Sequence, residues 1–259
     1  MMSKNDVSQS LKWLKNKVFW FCSAISMALL SISQDLDAQP MIKNIKVNHS
    51  IHIVGAMANV MHKGELFGTI DLDTIAERDN LVGLGPLENL AGEILILDGT
   101  AYQSTVVNED QMKVTATYDM KAPFLVYTHV DHWQEVILPD SIRALPQLEH
   151  FLDQITQKFP RPFCFRVIAN VDTAVIHIVN LPPGTKVSSP EEAHVGQQEY
   201  IIKDKPVILI GFFSTEHQGI FTHHDSFTHI HLITSDRQQM GHLTSIQFQS
   251  KPRLLLPAL

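Results

Sequence analysis

Cysteine is nearly absent from this 259-residue chain, which has only Cys22 and Cys164. Basic residues are in deficit too, 20 Lys and Arg against 27 Asp and Glu, for a formal net charge of −7. There is no internal repeat and no low-complexity segment, and the one long, mostly apolar run covers residues 18–32. Each shortage excludes something. An acidic chain without a basic stripe is a poor partner for nucleic acid, because that affinity comes from neutralising phosphates. Past the N-terminal run, no stretch is apolar and long enough to read as a membrane-spanning helix. Two cysteines cannot build a disulfide framework, so a hydrophobic core must hold the fold, and a chain of this length can bury one.

The N-terminus carries its own pattern. Lys4, Lys12, Lys15 and Lys17 precede or open an apolar run containing Phe19, Trp20, Phe21, Leu29 and Leu30, and Leu36-Asp37-Ala38 places a small residue before Gln39. This outline reads as a signal peptide over residues 1–38, with an uncleaved single-span anchor as the alternative. Asp35 and Asp37 make the cleavage site atypical. Removing its four Lys and three Asp from the 20 basic and 27 acidic residues leaves 16 and 24, a net of −8. The expected location is then periplasmic or secreted, with no stable membrane span after signal removal. Only Cys164 would survive maturation, which rules out an intramolecular bridge even where one is permitted. Flanked by Phe163 and Phe165, Cys164 reads as a packed thiol on a strand rather than a nucleophile.

Along the rest of the chain, residues 45–53 alternate as a half-buried strand does, and residues 55–61 form a short helix ending near Lys63-Gly64. A further helical turn follows at residues 72–76, capped by Asp71. Extended segments are expected at residues 93–97, 102–107, 112–118 and 124–128, with Asp98-Gly99 as a hairpin signal between the first two. One long helix, residues 141–158, repeats Ile142, Leu145, Leu148, Leu152 and Ile155 at three- and four-residue steps. After Pro160-Arg161-Pro162 the pattern is almost wholly β. Residues 163–168 and 173–179 read as a hairpin around Asn170, residues 188–198 as a polar surface segment, and residues 207–213, 228–234, 243–249 and 253–256 as strands. The sum is an α+β fold of mostly antiparallel or mixed β-sheets with a few helices, in two closely packed domains. Residues 39–160 would form an N-terminal mixed α/β domain, and residues 161–259 a β-rich metal-binding one.

The metal reading comes from Thr228-His229-Ile230-His231, followed eleven residues after His231 by His242. Alternate strand residues share a face, so His229 and His231 project together. A turn at Ser235-Asp236-Arg237-Gln238 returns the chain and brings His242 beside them. One histidine on a strand is ordinarily just a hydrogen-bonded residue; a third at hairpin distance favours a site. Three neutral imidazoles with one position open are the donor set of a catalytic ion, Zn2+ first, with copper, iron and nickel also compatible.

Several ordered segments together resemble the α-acetolactate decarboxylase family. They are Gly83-Leu84-Gly85-Pro86 leading to Gly92-Glu93-Ile94-Leu95-Ile96-Leu97-Asp98-Gly99, then Pro162-Phe163-Cys164-Phe165-Arg166-Val167, then Gly211-Phe212 before the histidine strand, and finally Asp236-Arg237 with Gly241-His242. The short helix over residues 56–66 is similar as well, so the resemblance covers most of residues 45–250. It implies a homodimeric two-domain protein that decarboxylates 2-acetolactate, a small 2-hydroxy-3-keto acid, to acetoin and carbon dioxide. It also implies Zn2+ held by His229, His231 and His242, Arg166 as the clamp on the substrate carboxylate or carbonyl, and Glu93 as the acid or base. Such chemistry calls for a Lewis acid at the ketone oxygen, a proton donor for the carbon that loses carbon dioxide, and a planar cation for an oxyanion.

The sequence departs from the family pattern in one respect. That pattern has a second active-site glutamate near the C-terminus, whereas residues 253–259 contain no acid. Either Glu216, assigned a catalytic role, or one of His217, His223 and His224 on the same histidine-rich loop before the metal strand takes its place, or the reaction differs. The alternative function is an exported cupin-like protein, or a non-catalytic metal- or small-ligand-binding protein on the same scaffold. A cupin would add a Glu shortly after the His-x-His pair, and Leu232-Ile233-Thr234-Ser235 supplies none.

Overall fold

Short runs of alternating or wholly apolar residues build two six-stranded antiparallel sheets. The structure, a computed structural model, describes residues 50–222, 226–249 and 252–258, all in the compact unit Ile42–Leu259. The signal-peptide segment 1–38 and the loop residues His223 and His224 lie outside the described residues.

In chain order the elements are β1 (His52–Val54), α1 (Met57–Lys63), β2 (Ile70–Asp71), β3 (Leu81–Pro86), β4 (Glu93–Leu97), β5 (Thr100–Asn108), β6 (Gln111–Ala116), β7 (Lys121–Ala122), β8 (Leu125–His129) and β9 (His132–Ile137). Then come α2 (Leu145–Ile155), β10 (Phe163–Ile178), α3 (Pro190–Ala193), β11 (Gln198–Phe213), β12 (Thr228–Thr234), β13 (Met240–Phe248) and β14 (Arg253–Ala258). The first sheet has the order β1-β8-β3-β4-β5-β6 and the second β11-β12-β13-β10-β14-β9, while β2 and β7 pair apart. The fold is thus α+β and mostly antiparallel. No helix of the described residues is long and apolar enough to cross a membrane.

Local chemistry explains the boundaries. Asp98 (φ 48°) and Gly99 (φ 78°) both adopt left-handed backbone, the two-residue turn whose twist matches a β-hairpin. Helix α1 buries Met57, Val60 and Met61 and stops at Gly64, whose φ of 64° closes the C-terminus. Helix α2 is shorter than its periodicity predicts. Gln147 accepts the Arg143 and Ala144 N–H groups and fixes the start, and Thr156 Oγ1 donates back to Leu152 O at the end.

The main correction is at Asn170, where no hairpin forms. Residues 163–178 make one sixteen-residue strand, β10. A register shift between Val171 and Thr173 lets β10 exchange one neighbour, β14 at Arg166–Ile168, for another, β13 at Val171–His177, while β11 follows it throughout. The polar break therefore marks a bulge, which bends a strand without ending it. Strands β10, β11, β12 and β13 consequently close on one another. Their enclosed face, with Phe165, Val167, Leu209, Leu232 and Ile246, packs against Leu148, Phe151 and Leu152 of α2. Their outer face, with Cys164, Ile210, Phe212, Ile233 and Met240, packs against Val82, Leu84, Leu95 and Leu97 of the first sheet. Cys164 is fully buried there, and burial pushes its thiol pKa upward, as suits a packed residue. The polar stretch 188–198 is likewise more ordered than a surface loop: α3 forms within it, and Ala193 is fully buried.

Candidate active site

Alternation along β12 sends His229 and His231 to the same face, both buried. Antiparallel pairing sets His242 of β13 directly across from His231. The three rings lie 4.8–5.4 Å apart, centre to centre. One nitrogen from each lies within 4.8 Å of the others. Three imidazole nitrogens this close together could share one divalent ion.

The surroundings fit an ion. His229 Nδ1 is 2.7 Å from the carbonyl of Phe221; since a carbonyl only accepts, Nδ1 carries the proton and Nε2 is left as the ligand atom. His231 has no exposed surface, and neither of its ring nitrogens makes a hydrogen bond of normal geometry. Burial pushes its pKa from 6.5 to about 3, opposed by the nearby Ile94 backbone, so the imidazole is neutral and ready to ligate. An unpartnered, neutral, buried ring beside two others is what a bound divalent ion would satisfy.

Glu93 completes the group. It opens β4, is almost fully buried, and brings Oε2 to 3.6 Å from His231 Nε2. Its Oε1 accepts the Val179 N–H at 3.1 Å. Burial raises its pKa to about 8, with the Val179 hydrogen bond opposing. Gly92 makes this placement possible, because a Cβ there would stand 2.2 Å from Ser104 O. The neighbouring acid Glu88 instead accepts the Gly68 N–H.

Two of the expected catalytic residues are placed elsewhere. Arg166 ion-pairs with Asp98 through Nη2, and its guanidinium lies 4.5 Å from the ring centre of Trp133. Arg166 stands opposite Ile210, which stands opposite His231, so the pair with Asp98, in the turn after β4, is what engages its guanidinium. A nearly buried cation needs a partner more than it needs the cleft. Glu216 is exposed and spends its N–H on Ser214 Oγ. His217 is tied to Ser214 Oγ and stacked on Phe221. None of the three lines the cavities at the histidines. The loop serves the site through its backbone instead, since Phe221 O orients His229.

The sequence reading overlooked His177 and His194. His177 is paired across strands with His242 and stacks on it at 4.5 Å. His194 stands edge-on to His177 at 6.2 Å. With His242 they line both an outer cavity of about 740 Å³ and a small recess that reaches Glu93. A signal was present: His177 is the one polar residue in Val175-Ile176-His177-Ile178-Val179. Splitting β10 into a hairpin hid its face.

Fold and site together define a β-rich protein with three clustered histidines that could hold a metal ion, backed by a buried carboxyl group. The family model of α-acetolactate decarboxylase matches residues 51–254, and the chain belongs to that family. It is 28% identical over 216 residues to the α-acetolactate decarboxylase of Klebsiella aerogenes, covering 79% of this chain and 74% of that one. Against that of Lactococcus lactis subsp. lactis strain IL1403 the identity is 27% over 179 residues, covering 68% and 71%. Among solved structures, the α-acetolactate decarboxylase of Bacillus subtilis strain 168 shares the fold with a TM-score of 0.64 at 20% identity, over 81% of this chain and 86% of that chain. A Staphylococcus aureus protein of unknown function similar to α-acetolactate decarboxylase gives a TM-score of 0.62 at 19% identity, over 80% and 84%.

Proposed function

We propose that the protein decarboxylates 2-acetolactate to acetoin and carbon dioxide, with Zn2+ held by His229, His231 and His242. The observation that carries this reading is the buried Glu93 acid 3.6 Å from the ligand set. When bound, the ion supplies Lewis-acid stabilisation for the charge that develops on the substrate's ketone oxygen. Glu93 does the proton work. Its Oε1 is fixed by the Val179 N–H, which leaves Oε2 toward the histidines. As the bond to the carboxylate breaks and its electron pair moves toward the ketone, Oε2 delivers a proton to the carbon left behind. Met57, Met61, Leu90 and Phe124 wall the recess and exclude water from that carbon.

Zinc-loaded protein given racemic acetolactate should release acetoin and carbon dioxide in equal amounts. No product at full zinc occupancy would sink the reading. A second reading, metal or small-ligand binding without turnover, draws on the placement of Arg166 and Glu216 away from the histidines; the same assay separates the two. The proposal extends to export through cleavage of residues 1–38 and to a homodimer, checked by N-terminal sequencing of exported protein and by light scattering.

A further inference from the structure

With Arg166 engaged by Asp98, no Lys or Arg is among the described residues lining either cavity at the histidines. Two other imidazoles occupy the passage between them. Glu199, His177, His242 and His231 form one cross-strand row over β11, β10, β13 and β12, so His177 extends the ligand row on its own face. Its Nδ1 lies 2.9 Å from Thr244 Oγ1, and its ring lies between those of His242 and His194.

His194 is mounted rigidly for a residue just past a four-residue helix. Ser189 caps α3, the Glu192 carboxylate grips Ser188 through both its N–H and its hydroxyl, and buried Ala193 packs with Leu181 and Val187. At Gly196, whose φ is 79°, the chain passes so close to Asn180 that a Cβ would stand 2.4 Å from its carbonyl oxygen. The His194 Nδ1 lies 2.6 Å from the carbonyl of Pro190. A carbonyl has no proton to give, so Nδ1–H donates, and in the neutral tautomer that this bond selects Nε2 is the lone-pair acceptor. An acceptor at the mouth of the recess wants a donor from the ligand. A 2-hydroxy-3-keto acid has one donor hydrogen besides any on its carboxyl group, that of the hydroxyl.

We propose that His194 contacts the substrate, its Nε2 accepting the hydrogen of the 2-hydroxyl group, with His177 as the positioning residue that holds it against the ligand row. This rests on the decarboxylase reading above and names the group that selects the hydroxyl within it.

The test uses two acids that lack the ketone and cannot turn over, 2-hydroxy-2-methylbutanoate and 2-methylbutanoate, titrated calorimetrically into zinc-loaded protein. Wild type should bind the hydroxy acid more tightly. His194→Ala should keep its zinc and lose about tenfold of that preference, the loss of one hydrogen bond. His194→Gln, which returns an acceptor oxygen at similar reach, should recover part of it. An unchanged preference in His194→Ala overturns the proposal, as does loss of zinc from that variant, which would mean that His194 acts through the ligands. A wild type that shows the preference but forms no acetoin from acetolactate sinks the decarboxylase reading and leaves the hydroxyl contact standing.

Discussion

At the scale of single residues, His231 and Arg166 divide the roles that the sequence grouped together. His231 is enclosed completely, and its unpartnered nitrogens carry a desolvation cost that a metal bond would offset. Arg166 is almost as enclosed, its side chain 11% exposed; its Nη2 pairs with Asp98 and its guanidinium lies over Trp133, while its Nε makes no hydrogen bond. The two alanine variants should therefore differ in kind. His231→Ala should empty the site in metal analysis while the protein still folds. Arg166→Ala should keep its metal and most of its turnover, and lose about 1–2 kcal/mol of stability from the missing pair and ring contact. Loss of turnover at full metal content in Arg166→Ala would return the clamp role to it.

At the scale of elements, the site depends on β10 and β11 lying close together. Gly211 faces Phe165 across that pair, and a Cβ there would stand 2.3 Å from the Phe165 ring. Phe165 is fully buried on the enclosed face, so the ring has nowhere to retreat. Gly211→Ala should cost about 1–3 kcal/mol, visible as a fall of several degrees in Tm, because overpacking forces a backbone shift. An unchanged Tm would show that the strands can part without cost. The elements most legible in the sequence were those specified by local rules: β4 and β12 by their apolar runs, the β4–β5 hairpin by Asp98-Gly99, and α1 by its Gly64 stop. Strand β10 was misread because a bulge and a hairpin have the same local signature. Which one forms depends on β13 and β14 being available as partners.

At the scale of the whole molecule, two opposed burials set the pH response of the metal-free protein. Glu93 has its folded pKa raised from 4.5 to about 8, so its contribution to stability is lost as pH rises through that window. His231 has its folded pKa lowered from 6.5 to about 3, so its contribution is lost as pH falls through that one. The windows overlap between 4.5 and 6.5, where the two slopes cancel. Metal-free protein should be most stable over that plateau, weaker at pH 8 and weaker again at pH 3.5, in denaturant titrations at each pH. Glu93→Gln should abolish the fall between pH 6.5 and 8, and a fall that persists in the variant would assign it to another group.

The sequence by itself determined the mostly antiparallel α+β class and the placing of three imidazoles together, because strand alternation and a short return turn are local geometry. The family resemblance also marked Glu93, which opens the Ile-Leu-Ile-Leu run and is buried with it in the structure. Only the tertiary structure decided which other groups share their space. Arg166 and His177 lie on one strand and one face, yet Arg166 is drawn to Asp98 from the other sheet and His177 is stacked on His242. A charge goes to the partner that neutralises it, and where that partner lies depends on how two sheets pack rather than on the spacing of residues along either one.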